Sequence, residues 1–153
     1  MKLKNAFFNF WPLLIIILLS VPTILPLFHS GFYPMHDDQQ VARLFELNKA
    51  IKDGQFPVRW VRDLGFGYGY PLFVFYPPFV YYLGELFHLI GFSLIDSIKI
   101  VIITGMFASG WAMYVLAKNL TSNMGGLLAA VLYMYLPYHA VDLYVRGALA
   151  EYW

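Results

Sequence analysis

His36, Asp37 and Asp38 stand side by side directly after a long apolar segment. Two adjacent carboxylates can take a proton from a hydroxyl or hold a hard divalent cation such as Mg2+ or Mn2+ through oxygen. Arginines follow at Arg43, Arg59 and Arg62, and a second charged set, Asp142, Arg146 and Glu151, comes late in the chain. A guanidinium keeps its charge at any working pH and pairs bidentately with phosphate. Such charges are costly on an apolar chain unless they meet water or a polar ligand. Acids and arginines at a membrane surface suit a phosphate-bearing lipid.

The same residues have plainer uses. Asp37 or Asp38 can cap a helix. Arg59 and Arg62 can anchor the interface beside Trp60, and His36 can be an ordinary hydrogen-bonded residue there. Glu85 and His88, three apart on one helix face, read as a pair satisfied by each other or by water. Gly65, Gly67 and Gly69 alternate with aromatic residues but lack the helix and lysine of a phosphate loop.

The elements that must position these groups are membrane helices. Of 153 residues, 60% are hydrophobic and only 12% charged, where a soluble domain is nearer a quarter charged. The fold class that follows is an all-α polytopic membrane protein. A net charge of +1 gives no field to recruit nucleic acid. The absence of cysteine excludes a thiol nucleophile, a disulfide framework and a Cys-based metal site.

Hydropathy predicts three spans, over about 6–28, 97–117 and 124–138. They leave an external loop, 29–96, and a second external segment, 139–153. Lys2 and Lys4 before the first span place the N-terminus in the cytoplasm, and the membrane is read as a bacterial inner membrane. In the first loop, 38–53 reads as an amphipathic surface helix. Val41, Leu44, Phe45 and Ile51 form its apolar face, and Gly54 ends it. Residues 55–76 read as a packed loop. The segment 79–92 is a helix of about fourteen residues, or about 21 Å, too short to span, and so lies in the interface. Ser93 and Asp96 cap the next helix, whose Gly105, Ala108, Ser109, Gly110 and Ala112 suit close packing. The chain reaches Trp153 straight from a charged segment, so we expect it to be the N-terminal part of something longer.

Several runs carry a resemblance. They are His36-Asp37-Asp38, then Asp53-Gly54-Gln55-Phe56-Pro57-Val58-Arg59-Trp60, and Asp63-Leu64-Gly65-Phe66-Gly67-Tyr68-Gly69-Tyr70-Pro71-Leu72-Phe73. Phe75-Tyr76-Pro77-Pro78 and Asp142-Leu143-Tyr144-Val145-Arg146-Gly147-Ala148-Leu149-Ala150-Glu151 complete them. Their order resembles the N-terminal part of GT-C superfamily membrane glycosyltransferases. Locally the chain is most similar to bacterial membrane proteins labelled 6-pyruvoyl-tetrahydropterin-synthase-related, but its residues carry no pterin chemistry.

The resemblance implies an acid in the first external loop, Asp37 with Asp38 beside it, as catalytic base or metal ligand. It implies a second acidic position at Asp142 or Glu151, and a polyprenyl-phosphate sugar as donor. It also implies more spans than this chain holds, so the missing C-terminal remainder would be a partner and this chain alone inactive. Arg43, Arg59, Arg62 and Arg146 are the candidate phosphate ligands. The alternative is a non-catalytic membrane protein that binds or transports a lipid head group. A third reading is a purely structural anchor.

Overall fold

The computed structural model describes residues 11–32 and 34–153. Lys2 and Lys4, and the first residues of the span expected at 6–28, lie outside the described residues. The described helices are α1 (Trp11–Ile24), running into a 3-10 turn (Leu25–Phe28), α2 (Gln40–Lys52), α3 (Leu72–Phe75) and α4 (Phe79–Leu89). They continue with α5 (Leu94–Leu120), α6 (Asn123–Met134), α7 (Pro137–Ala140), a π turn (Val141–Arg146) and α8 (Leu149–Tyr152). Among the described residues there is no strand, only an isolated antiparallel bridge between Val61 and Tyr70.

Three helical runs are long and apolar enough to cross a membrane: Trp11–Phe28, Leu94–Leu120 and Asn123–Arg146. The protein is therefore an all-α membrane protein. The third run passes the expected end at 138: α6 stops at Met134, and Pro137 opens α7, which carries the run on to Arg146. A proline in the first helical position gives up only an N–H that has no helical partner. α4 has 11 residues and is not among the three runs.

The chain forms two compact units. In the first, the described part of Met1–Phe28 packs with Met106–Pro137. Pro12, Ile16, Ser20 and Ile24 are the buried row of α1, four residues apart, and Gly126, Ala130 and Met134 form a matching row on α6. Rows with that spacing interlock between helices, and small residues bring the backbones close. A Cβ on Gly110 of α5 would come 2.6 Å from Met134 Sδ and 3.2 Å from Ile16 Cγ2. Leu14, Leu18, Leu128 and Leu132 are left facing outward, as lipid contact requires.

The second unit comprises His29–Gly105 and Tyr138–Trp153. α2 lies against α4, and Gly84 makes room for Leu44, whose Cδ2 would be 3.1 Å from an added Cβ. The expected apolar face of α2 is corrected here. Leu44 is buried, but Phe45 points outward, and the polar Gln40, Glu46 and Asn48 are buried instead. Each finds a partner: Asn48 Nδ2 donates to Glu85 Oε1 at 2.7 Å, and Glu46 Oε2 accepts from the Asp63 N–H at 3.3 Å. Neither Asp37 nor Asp38 caps α2. Gln39 holds the N-cap position without a side-chain hydrogen bond, because the Asp37 carboxylate is engaged elsewhere.

Gly54 ends α2 as expected, with φ +84°, its N–H on Ile51 O and the Gln55 N–H on Ala50 O. That is the Schellman pattern. Ser93 Oγ accepts the Asp96 N–H at 3.1 Å at the start of α5. Glu85 and His88 do not satisfy each other: Glu85 turns to Asn48, and His88 Nδ1 lies 2.8 Å from Phe92 O. Lys99, buried near the start of α5, donates to His29 O at 2.7 Å.

Candidate functional site

The site is built by a backbone clasp. The His36 N–H donates to Val145 O at 2.9 Å and the Asp37 N–H to Arg146 O at 2.8 Å. Two segments more than a hundred residues apart in sequence are thus laid edge to edge. Gly147 makes this possible. It follows the π turn with φ +69°, and a Cβ there would collide with Met35 Sδ and lie 2.8 Å from Asp37 O. Any other residue would meet both a left-handed backbone and an occupied space. π turns place their side chains off the α-helical register, which is one reason they recur at functional sites.

Gln40, at the start of α2, locks the clasp. Its Nε2 donates to Gly147 O at 2.6 Å and to Asp37 Oδ2 at 3.1 Å, while its Oε1 accepts from Tyr81 Oη at 2.5 Å. Tyr81 fixes which way the amide faces. Burial pushes the Tyr81 hydroxyl pKa up, so it stays a donor.

Three donors converge on one oxygen of Asp37. Arg43 Nη1 reaches Oδ2 at 2.7 Å, Gln40 Nε2 at 3.1 Å and Tyr76 Oη at 3.3 Å. Oδ1 carries no hydrogen bond among the described residues. Arg43 lies over the Tyr76 ring at 4.2 Å from its centroid, a cation–π contact that holds both in place. Burial works against the Arg43 charge, but the hydrogen bonds to Asp37 and Tyr81 outweigh it and hold its pKa above the usual value.

Asp37 lines an open cleft of about 460 Å3 together with His36, Tyr76, Pro77, Arg146 and Glu151. Arg146 makes two ion pairs there: Nη1 with Asp142 Oδ1 at 2.5 Å and Nη2 with Glu151 Oε2 at 2.7 Å. Tyr138 Oη donates to the other Glu151 oxygen. Hydrogen bonds from Arg146 and Tyr138 hold the Glu151 carboxyl below the usual range.

The structure thus brings together Asp37, Arg43, Asp142, Arg146 and Glu151, and the two sequence-distant charged sets share one cleft. It does not bring Arg59 or Arg62 there. Arg62 pairs with Asp53 at 3.2 Å and lines a separate pocket with Glu46, Lys49 and Trp60. The Arg59 N–H is held by Gln55 Oε1 at 2.6 Å, and Arg59 O accepts from the Phe73 N–H, which fixes its backbone outside the cleft. Asp38 is exposed beside the clasp and makes none of its hydrogen bonds. The surroundings of Asp37 do not fit a divalent cation. Three donors already point at Oδ2, a guanidinium stands 2.7 Å away, and among the described residues no three His, Asp or Glu side chains converge to hold a metal.

Gln40, Tyr76, Tyr81, Tyr138 and Gly147 escaped sequence reasoning. One signal was readable. Gln40 and Asn48 flank Leu44 on one row of α2, and amides on an apolar row need partners inside the protein.

Fold and site together define an integral membrane protein with an acid–arginine cleft. An uncharacterised protein of Lactococcus lactis subsp. cremoris (strain MG1363) is 26% identical over 144 residues, covering 90% of this chain and 23% of that protein. The chain therefore spans about a quarter of the length of the relative it matches. No family model matches the chain, and no solved structure does.

Proposed function

We propose that this chain carries the catalytic acid of a GT-C-type glycosyltransferase that moves a sugar from a polyprenyl-phosphate donor to an acceptor hydroxyl. The reaction takes place at the external membrane face, within a longer protein. The observation that carries this reading is the placement of Asp37 on the same cleft as Arg146, with one oxygen saturated by donors and the other without a hydrogen bond among the described residues. The three donors on Oδ2 hold the carboxylate in one orientation, and Oδ1 is left to accept a proton.

In the proposed step the acceptor oxygen attacks the anomeric carbon of the sugar. The bond from that carbon to the phosphate oxygen breaks, and the phosphate leaves with the electron pair. The hydroxyl proton passes to Asp37 Oδ1. Arg146, at the cleft wall, stabilises the departing phosphate by a charge-assisted hydrogen bond. General base help of this kind contributes on the order of 10²–10⁴ in rate.

The test is Asp37→Asn in the full-length protein, assayed for sugar transfer from a polyprenyl-phosphate donor. We expect a loss on the order of a hundredfold or more. Unchanged transfer would remove Asp37 from the chemistry. A head-group-binding protein without turnover is the second reading, favoured by the carboxylate partners that Arg43 and Arg146 already hold. It predicts donor binding by unaltered protein and Asp37→Asn alike, with no transfer by either.

A further inference from the structure

Arg146 has two carboxylate partners of very different character. Asp142 is 2% exposed, while Glu151 is 47% exposed and Arg146 itself 45%. A buried carboxylate cannot leave its cation without a large desolvation cost, so Asp142 is a permanent partner that aims the guanidinium. An exposed ion pair is worth little and exchanges readily. Glu151 is therefore the replaceable one, and its two oxygens are gripped by two separate donors. Arg146 Nη2 holds Oε2 at 2.7 Å, and Tyr138 Oη holds Oε1. A planar guanidinium edge beside a hydroxyl is a cradle for two oxygens of a tetrahedral anion. Both Arg146 and Glu151 line the cleft that holds Asp37.

We infer that Arg146 and Tyr138 form an anion subsite for a phosphate group and that Glu151 is its internal occupant, displaced when the phosphate enters. This rests on the phosphate-donor reading above and adds its gate. At rest Arg43 is paired with Asp37, and Arg146 with both Asp142 and Glu151, so neither guanidinium is spare for a ligand. A phosphate gains its partner only by exchange with Glu151. Asp142 stays in place throughout, because it alone balances Arg146 during the exchange. The displaced Glu151 moves into water, which its exposure makes inexpensive. The chemistry recognised is a phosphate or pyrophosphate oxygen pair, whether on a lipid or free.

The experiment is anion binding by the full-length protein in phosphatidylcholine nanodiscs, followed by calorimetry. Inorganic pyrophosphate is titrated into unaltered protein, Glu151→Ala and Tyr138→Phe. Glu151→Ala should bind roughly fivefold tighter, since a surface ion pair no longer competes. Tyr138→Phe should bind more weakly, since one donor is gone. Glu151→Gln keeps an acceptor for Tyr138 and should fall between, which preserves the test if the alanine variant misfolds. A second arm adds polyprenyl phosphate to the nanodiscs. Competition with pyrophosphate assigns the subsite to the lipid, and undiminished pyrophosphate binding assigns it to a free phosphate. Equal pyrophosphate affinity in the unaltered protein and both Glu151 variants, or no binding by any, overturns the proposal. Neither result touches the role of Asp37, which is read separately by sugar transfer in Asp37→Asn.

Discussion

At the scale of single residues, the site depends on amide and hydroxyl groups more than on its charges. Tyr81 is fully buried, and its hydroxyl is the donor that orients Gln40. Tyr81→Phe leaves Gln40 Oε1 buried without that donor, which should cost about 1–3 kcal/mol. Thermal unfolding in detergent checks this, and an unshifted midpoint would show that the amide has another partner. Gly147→Ala is expected to be harsher, because its Cβ would enter the space of Met35 and Asp37. Faster hydrogen exchange at the His36 and Asp37 amides would report the loosened clasp. Beyond the polar amide of Gln40 on the row of Leu44, none of this was legible in the sequence. Asp37 and Arg146 stood out by type, but their meeting is made by backbone N–H and C=O groups, which every residue carries.

At the scale of elements, local signals were readable and faces were not. The start of α5 at Ser93 and the end of α2 at Gly54 depend on a residue and its near neighbours, so the sequence showed both. Gly54→Ala should cost about 1–2 kcal/mol, since only the left-handed backbone is at issue and nothing crowds the added Cβ. A lower unfolding midpoint with unchanged helix content is the expected result. Which face of α2 is buried depends on α4 and on the loop that follows α2, and no periodicity within α2 can report that. The loop is tied to α2 by Lys49 and Asp63 at 2.5 Å. The hydrogen bond from Lys49 holds the Asp63 carboxyl below its usual range, and the same bond raises Lys49. A carboxylate lowered in the folded state stabilises it above the unfolded pKa and stops doing so as pH falls through the folded value. The loop should therefore loosen only in acid, below the ordinary carboxylate range. Hydrogen exchange at the Val61 and Tyr70 amides of that loop, which are bonded to backbone carbonyls, compared at neutral and acid pH, checks that sign. Asp63→Asn should abolish most of the difference.

At the scale of the whole molecule, the spans were legible because hydropathy is a local sum, and the sharing of one cleft by Asp37 and Glu151 was not. The chain has no cysteine, so single introduced thiols report cleanly. Asp38→Cys and Glu151→Cys should react with an impermeant maleimide from the same side of sealed vesicles. Labelling from opposite sides would break the cleft apart. The clasp also has a consequence for biosynthesis. Asp37 leaves the ribosome early, yet the carbonyls of Val145 and Arg146 that hold its segment do not exist until more than a hundred further residues have been made. Until then the early acid sits in a nascent chain already threading into the bilayer, with no late strand to dock against. A polypeptide interrupted before residue 145 would carry the early acid and still lack the carbonyls that close its pocket.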